Sequence, residues 1–397
     1  MNKIEFIRGQ GGVVKALPGE DHISGFMTYM PDASLPTAAQ GTDGFSTTRR
    51  IIAVSTIERA ELLGITATNT AWQIKVLHYH LSEIFRINPS IVLYLGIFAT
   101  PASAYDFAEV KQMQNFAEGK LRQLAVYVPE QKLAADDLTT LQGVADILEA
   151  QDAPLSLLYS CKIENISALT KMGGSGKKNV SVVIGQAGCG VGAELYTSAE
   201  NTGKKSVTCI GVVLGIVSKA AVHESIGWVQ KFPTGIDLAA FADGTLLRDL
   251  DRAVIDELDA KRFLFLITYN GLSGTYMNDS HTMDEAQSDY AYLEAVRTMD
   301  KAVRGIRTYI LPYLGGSLSI DAETGKISPD TVTFLEQLAG KQLEDMEKAG
   351  ELSGYLVKID PNQNVLTTST VEFIILKVQV GVMRKVKVKI GFTTKLK

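Results

Sequence analysis

The chain has 397 residues, 46% of them hydrophobic and 21% charged, with a formal net charge of −5. These proportions exclude a disordered or fibrous chain and leave room for two or three domains around a sizeable core. The acidic balance predicts no nucleic-acid partner, and three cysteines, Cys161, Cys189 and Cys209, make no disulfide framework. The opening residues lack an apolar stretch of signal-peptide length, and the most apolar run, 207–217, is too short to span a bilayer as a helix. The expectation is therefore a protein made and kept in the cytoplasm, with no membrane insertion.

Residues 3–8 alternate loosely, with Ile4, Phe6 and Ile7 set against Lys3, Glu5 and Arg8. They predict a short strand on a Gly- and Pro-rich lead, an arm rather than a core element. Ser55 and Glu58 form a capping box that predicts a helix stopping at Gly64. Residues 69–87 predict a longer helix with Val76, Leu77, Leu81, Ile84 and Phe85 on one face, ended by Asn88-Pro89. Strands are predicted at 91–98, 124–128, 155–159, 180–184 and 207–217. Helices are predicted at 107–121 and through Leu138, Leu141, Val144 and Leu148. Apolar strands separated by helices predict a mixed α/β fold with a partly parallel sheet.

Farther on, 246–258 predicts an amphipathic helix, 263–267 a buried strand, and the polar, Gly-rich stretch 271–284 a boundary. Residues 290–310 predict a helix. Ser328-Pro329 opens another, with Ser as cap and Pro at the first helical position, which Gly350 stops. A strand at 355–359 and a turn at Asp360-Pro361-Asn362 follow. The chain closes with two strand-like runs, 371–380 and 386–392, separated by Gly381.

The candidate chemistry is thin. Residues 171–178 imitate a phosphate loop, but Lys178 stands where Ser or Thr is needed and Lys171 where the first Gly is needed. Gly188, Gly190 and Ala193 match a dinucleotide fingerprint after the 180–184 strand. The acidic residue expected about twenty positions on is missing, so a tight turn is the better reading. His78 and His80 would point about 200° apart on a helix, which is no metal face, and Cys189 reads as a buried small apolar residue. No catalytic, metal or cofactor site is predicted.

The C-terminal charge pattern is more unusual. From Phe373 onward the chain carries seven basic residues and no acid, against a net charge of −5 overall. Val386, Val388 and Ile390, with Phe392 beyond, alternate with Lys385, Lys387 and Lys389. Such a strand is either an edge protected by lysines or a donor to an acidic neighbour of the same protein.

An ordered set of segments then resembles a known family. The stretches 6–12 and 17–25, and Leu77 to Arg86 with His78 and His80, resemble contractile phage tail sheath proteins of the Mu-like prophage type. So do Asp289-Tyr290-Ala291-Tyr292, Arg297, Asp300-Lys301-Ala302, Arg304, Leu311-Pro312, Thr324-Gly325-Lys326-Ile327 and 350–360. The resemblance implies a structural subunit without catalytic residues or cofactors. It would polymerise helically around an inner tube and contract to drive it through a target envelope. Its implied partners are further copies of itself, the tube protein, and baseplate and terminator proteins. It would assemble in the bacterial cytoplasm and end in a phage tail or phage-like particle. The implied layout is an N-terminal arm (1–22), an outer α/β region (23–270), an inner domain (271–370) and C-terminal strands with a donor arm (371–397). A helix bearing Lys341, Glu344, Asp345 and Lys348 is where the resemblance places tube contact. A nucleotide-binding enzyme resting on Gly188 to Ala193, or another tail component such as a tube or terminator protein, remains as the alternative.

Overall fold

The structure, a computed structural model, describes residues 20–393, so the arm predicted on Ile4, Phe6 and Ile7 lies outside the described residues. The first part of the chain alternates strands and helices. They are β1 (Ser24–Met30), β2 (Ile51–Val54), α1 (Ile57–Leu62), α2 (Trp72–Ile87), β3 (Leu93–Ala99), α3 (Glu109–Phe116), β4 (Gln123–Lys132), α4 (Ala135–Ala150), β5 (Ser156–Lys162) and β6 (Val180–Val182). These strands form one sheet in the order β2-β3-β1-β4-β5-β6. β1 runs parallel to both β3 and β4, and β4, β5 and β6 continue in parallel, while β2 lies antiparallel along the edge of β3.

Helices cover both faces, which is why the strands read as unbroken apolar runs. Phe26 and Met27, neighbours in β1, are both fully buried, one in each of two core clusters. On the first face Val76, Leu77, Leu81 and Ile84 of α2 pack down; on the second, Val110 and Met113 of α3 and Leu138 and Leu141 of α4. Burying each such side chain contributes roughly 1.5–3 kcal/mol. The α1 cap is one residue later than expected. Thr56, not Ser55, accepts the Arg59 amide, at 3.2 Å. Gly64 ends that helix at φ +86°.

The middle of the chain adds β7 (Gly185–Ala187), α5 (Gly190–Thr197), α6 (Ile210–Lys219), β8 (Ala239–Phe241), α7 (Arg252–Ala260), β9 (Leu266–Ile267) and β10 (Tyr276–Met277). The strand predicted at 207–217 is helix α6 instead. Every residue from Ile210 to Ser218 is buried, so the helix has no polar face and shows no helical period. It packs across α2 at two glycines. A Cβ at Gly211 would meet the His80 carbonyl oxygen at 2.7 Å, and one at Gly215 would meet Ile87 at 3.0 Å. Of the helix predicted at 246–258, the first part is the short 3-10 turn Leu247–Asp249, and α7 starts at Arg252. Within 271–284, β10 pairs antiparallel with β9, and Thr275, Ser280, Thr282 and Met283 are buried.

The last part comprises α8 (Leu293–Ile310), α9 (Pro329–Lys348), β11 (Leu352–Ile359), α10 (Val365–Thr368) and β12 (Phe373–Gln379). Ser328 caps α9 by accepting the Thr331 amide at 3.4 Å, and Gly350 follows it at φ +74°. The first half of α8 is buried in the main body, whereas Ala302 and Ile306 join Leu343, Met346 and Leu352 in a small separate core. α8 is thus one continuous rod linking the large α/β body to the unit formed by α9, β11 and β12.

Candidate assembly surface

β11 and β12 pair antiparallel, with Leu356 opposite Leu376 and Ile359 opposite Phe373. Strand alternation gives this hairpin two unlike faces. Val357, Ile359, Phe373 and Ile375 contribute to the small cores beneath α9. Leu356, Ile374, Leu376 and Val378 face outward, Leu376 being 60% exposed. The sheet has only these two strands among the described residues, so each leaves an outer edge unpaired. A lone hairpin with an exposed apolar face is marginal in water, and open edges accept further strands.

The chain beyond the hairpin is the counterpart of those edges. The strand predicted at 386–392 is not formed among the described residues: 380–392 make no ladder with any of them. Lys385, Lys387 and Lys389 are exposed, as are Val386, Val388 and Phe392, and Ile390 is 95% exposed. The alternation is present, but a strand needs a partner, and the described residues supply none there. The tail departs from a fixed point. Arg384 donates from Nε to both carboxylate oxygens of Asp279 at 3.0 Å, and from Nη2 to Ser280 Oγ at 3.2 Å and to Glu294. Its guanidinium carbon lies 3.4 Å from the centroid of the Tyr292 ring. Burial disfavours the Arg384 charge, but the Glu294 and Asp279 carboxylates outweigh it and hold its pKa above the usual value.

The predicted tube-facing residues lie on α9 but do not all point to solvent. The Lys341 ammonium sits 5.4 Å from the Tyr309 ring on α8, and Asp345 accepts from the Tyr309 hydroxyl at 3.4 Å. Glu344 and Lys348 pair with each other one turn apart and are exposed.

A partly buried ionic junction, which the sequence reading missed, joins the hairpin unit to the main body. Lys301 of α8 donates to Asp21 at 2.8 Å and to Glu351 at 2.6 Å; Arg304 reaches Asp21 at 3.4 Å, and Arg122 pairs with Glu20 at 2.6 Å. Asp21, Arg122, Arg297, Asp300 and Arg304 line a cavity of about 10 Å³. Burial pushes the Asp300 carboxyl up to about 6, against the pull of Arg304.

The other candidates do not form a reactive site. Cys189 is exposed, not buried, because it is the N-cap of α5 at the mouth of a cleft of about 320 Å³ shared with His78, Ser82 and Asp237. Gly190 takes φ +66° at that turn. β7 pairs antiparallel with β8, so the fingerprint lies outside the parallel β-α-β unit that would aim a pyrophosphate at the helix. His78 pairs with Glu61 at 3.1 Å. His80 is fully buried and burial lowers its pKa to about 3, so its ring is neutral. Residues 171–178 are pinned rather than free: the Gly176 amide donates to Asp284 at 2.9 Å and Lys178 to Glu149 at 3.0 Å. No group of three or more His, Cys, Asp or Glu able to hold a metal occurs among the described residues. No helix there is long and apolar enough to cross a membrane.

Comparison with known proteins places this arrangement. One solved structure is described as the PVC sheath complex of an extracellular contractile injection system in the contracted state. It matches with a TM-score of 0.58 over 98% of this chain and 99% of that chain, at 12% identity. The mixed α/β architecture with its partly parallel sheet is therefore a sheath-like fold from end to end. No curated protein matches. The family model described as DUF2586, N-terminal domain, matches residues 37–281, and that described as DUF2586, C-terminal domain, matches residues 289–397. On those two matches, which together take in most of the sequence, the chain belongs to the DUF2586 family.

Proposed function

We propose that this protein is the structural subunit of a contractile sheath, polymerising helically around an inner tube and contracting to drive it through a target envelope. The observation that carries this reading is the likeness in fold to the PVC sheath along essentially the whole of both chains. Two features fit it: a hairpin that is two-stranded among the described residues, and a tail whose alternating apolar and cationic residues, 385–392, form no ladder with them. Pairing of the tail (385–393) with the hairpin of a second copy would complete both, and would bury Val386, Val388 and Ile390. An arm formed by Ile4, Phe6 and Ile7 would serve in the same way.

In this reading the partly parallel α/β body, within 23–270, is the outer region and 271–370 the inner one, with Lys341, Glu344, Asp345 and Lys348 on the helix nearest the tube. Its partners are copies of itself, the tube protein, and baseplate and terminator proteins, during cytoplasmic assembly and then on the particle. Head-to-tail contacts that do not close generate an open helical filament, as a sheath requires. Contraction is a switch between two lattices whose interfaces repack while exchanged strands keep the copies connected. No catalysis and no cofactor enter the account. Negative-stain microscopy of the purified protein tests it. Hollow tubes wide enough to enclose another tube support a sheath, narrow tubes indicate a tube protein, and discrete particles indicate an enzyme.

A further inference from the structure

We infer that Arg384 is the root of the donated tail: its side chain clamps the chain to its own subunit and fixes where and in which direction 385–392 leave. The inference rests on the sheath reading for the tail's destination, but the clamp itself stands on geometry. β12 ends at Gln379, and residues 380–383 run exposed or half-exposed with no ladder. Arg384 then re-engages the main body at Asp279, Ser280, Tyr292 and Glu294, on the segment from the end of β10 to the start of α8. After it, every described side chain is exposed.

A guanidinium is suited to this place. Its Nε–H is shared between both Asp279 oxygens while Nη2 reaches Ser280 and Glu294, and its plane lies on the Tyr292 ring, which a lysine ammonium cannot do together. Glu294 is buried and Asp279 nearly so, and hydrogen bonds between charged groups shielded in this way are stronger than neutral ones. The clamp therefore holds firmly enough to define a boundary. Below it the chain is fixed; beyond it 385–393, fully extended, reach at most about 30 Å. The acceptor edge on a second copy must lie within that reach. Releasing the clamp moves the root back to Gln379 and adds five residues, about 17 Å of slack. A longer, undirected tether lowers the effective concentration of the tail at its acceptor and raises the ordering cost of docking.

The test uses a nitroxide at Met383→Cys, a highly exposed position next to the clamp, in a full-length Cys189→Ser background. The remaining thiols, Cys161 and Cys209, are buried and do not label. In dilute monomer the label is expected to be immobilised. Arg384→Ala, and independently Asp279→Asn, should raise the mobile fraction about tenfold or more, with Arg384→Lys in between. Melting temperature should fall by no more than about 5 °C, the cost of leaving Glu294 and Asp279 without their cation, so the subunit stays folded at the temperature of measurement. Arg384→Ala should also slow sheath assembly at matched concentration. A label already mobile in the unsubstituted monomer, or spectra unchanged by Arg384→Ala and Asp279→Asn, overturns the clamp. A released clamp with unchanged assembly overturns its role in donation. If the unsubstituted protein forms no sheath, the function reading fails on that control, while the monomer spectra still decide the clamp.

Discussion

Lys301, midway along α8, donates to Asp21 at 2.8 Å across 280 positions of sequence, and the same ammonium reaches Glu351 at 2.6 Å. One side chain thereby ties the entry to β1, the helix that bridges the two parts of the molecule, and the turn into β11. Burial alone would raise the Asp21 pKa, but Lys301, Arg297 and Arg304 outweigh it and hold it below its usual 3.8. The contribution of Asp21 to stability is thus complete above 3.8 and is lost as pH falls through the lowered folded value. Lys301→Met should destabilise the protein by about 1–3 kcal/mol at neutral pH, as it strands two partly buried carboxylates. Urea unfolding at pH 7 and pH 3 checks this: the gap between Lys301→Met and the parent should narrow at pH 3.

Asp300, the neighbour of Lys301, should behave in the opposite sense. Its carboxyl is pushed up to about 6 from 3.8, chiefly by burial. Below 3.8 both folded and unfolded chains hold the proton; as pH rises toward 6 the unfolded chain releases it first, and folding loses stability. Asp300→Asn should therefore stabilise the protein at pH 8 by at most about 3 kcal/mol, and the gain should vanish near pH 4. A melting-temperature series from pH 4 to pH 8 measures it.

Gly211 is the tightest point of the α2–α6 contact, because a Cβ there would sit 2.7 Å from backbone oxygen rather than against a flexible side chain. Gly211→Ala should cost about 1–3 kcal/mol through displacement of α6. Gly143 lies on a helix with open space around it, so Gly143→Ala should be neutral or stabilising by up to about 1 kcal/mol. Denaturant midpoints of the two variants, measured side by side, separate crowding from helix propensity.

Removing 385–397 while keeping Arg384 should leave a folded monomer, since residues 385–392 are exposed and form no ladder with other described residues. Circular dichroism and melting should match the parent within about 2 °C, while sedimentation shows no polymer. Raising salt should weaken assembly of the full chain only in part. The exposed lysines are screened, but the burial of Val386, Val388 and Ile390 is not.

Much of the fold was legible because periodicity reports exposure. α2, α4, α8 and α9 each show one apolar face, and β3, β4 and β5 are unbroken apolar runs between helices. The same logic failed at α6, where burial on all sides erased the period; the signal that survived was Gly211 and Gly215, four apart, letting one helix approach another. Cys189 looked buried beside its glycines, but those glycines mark an exposed cap. The tail's alternation was legible as a strand pattern, but a strand is completed only by a partner, and none lies among the described residues. The ionic junction and the Arg384 clamp were beyond reach. Their partners lie 280 and 105 positions away, and abundant charges give no hint of which will meet.

Helical reconstruction by electron cryomicroscopy of assemblies formed from the purified full-length protein tests the central claim most directly. The account predicts a hollow wall of repeating copies with a lumen wide enough for a second tube. In that wall, density for 385–393 should run beside the β11–β12 hairpin of a different copy. Discrete particles, a wall with no such lumen, or a tail paired only within its own subunit would contradict it.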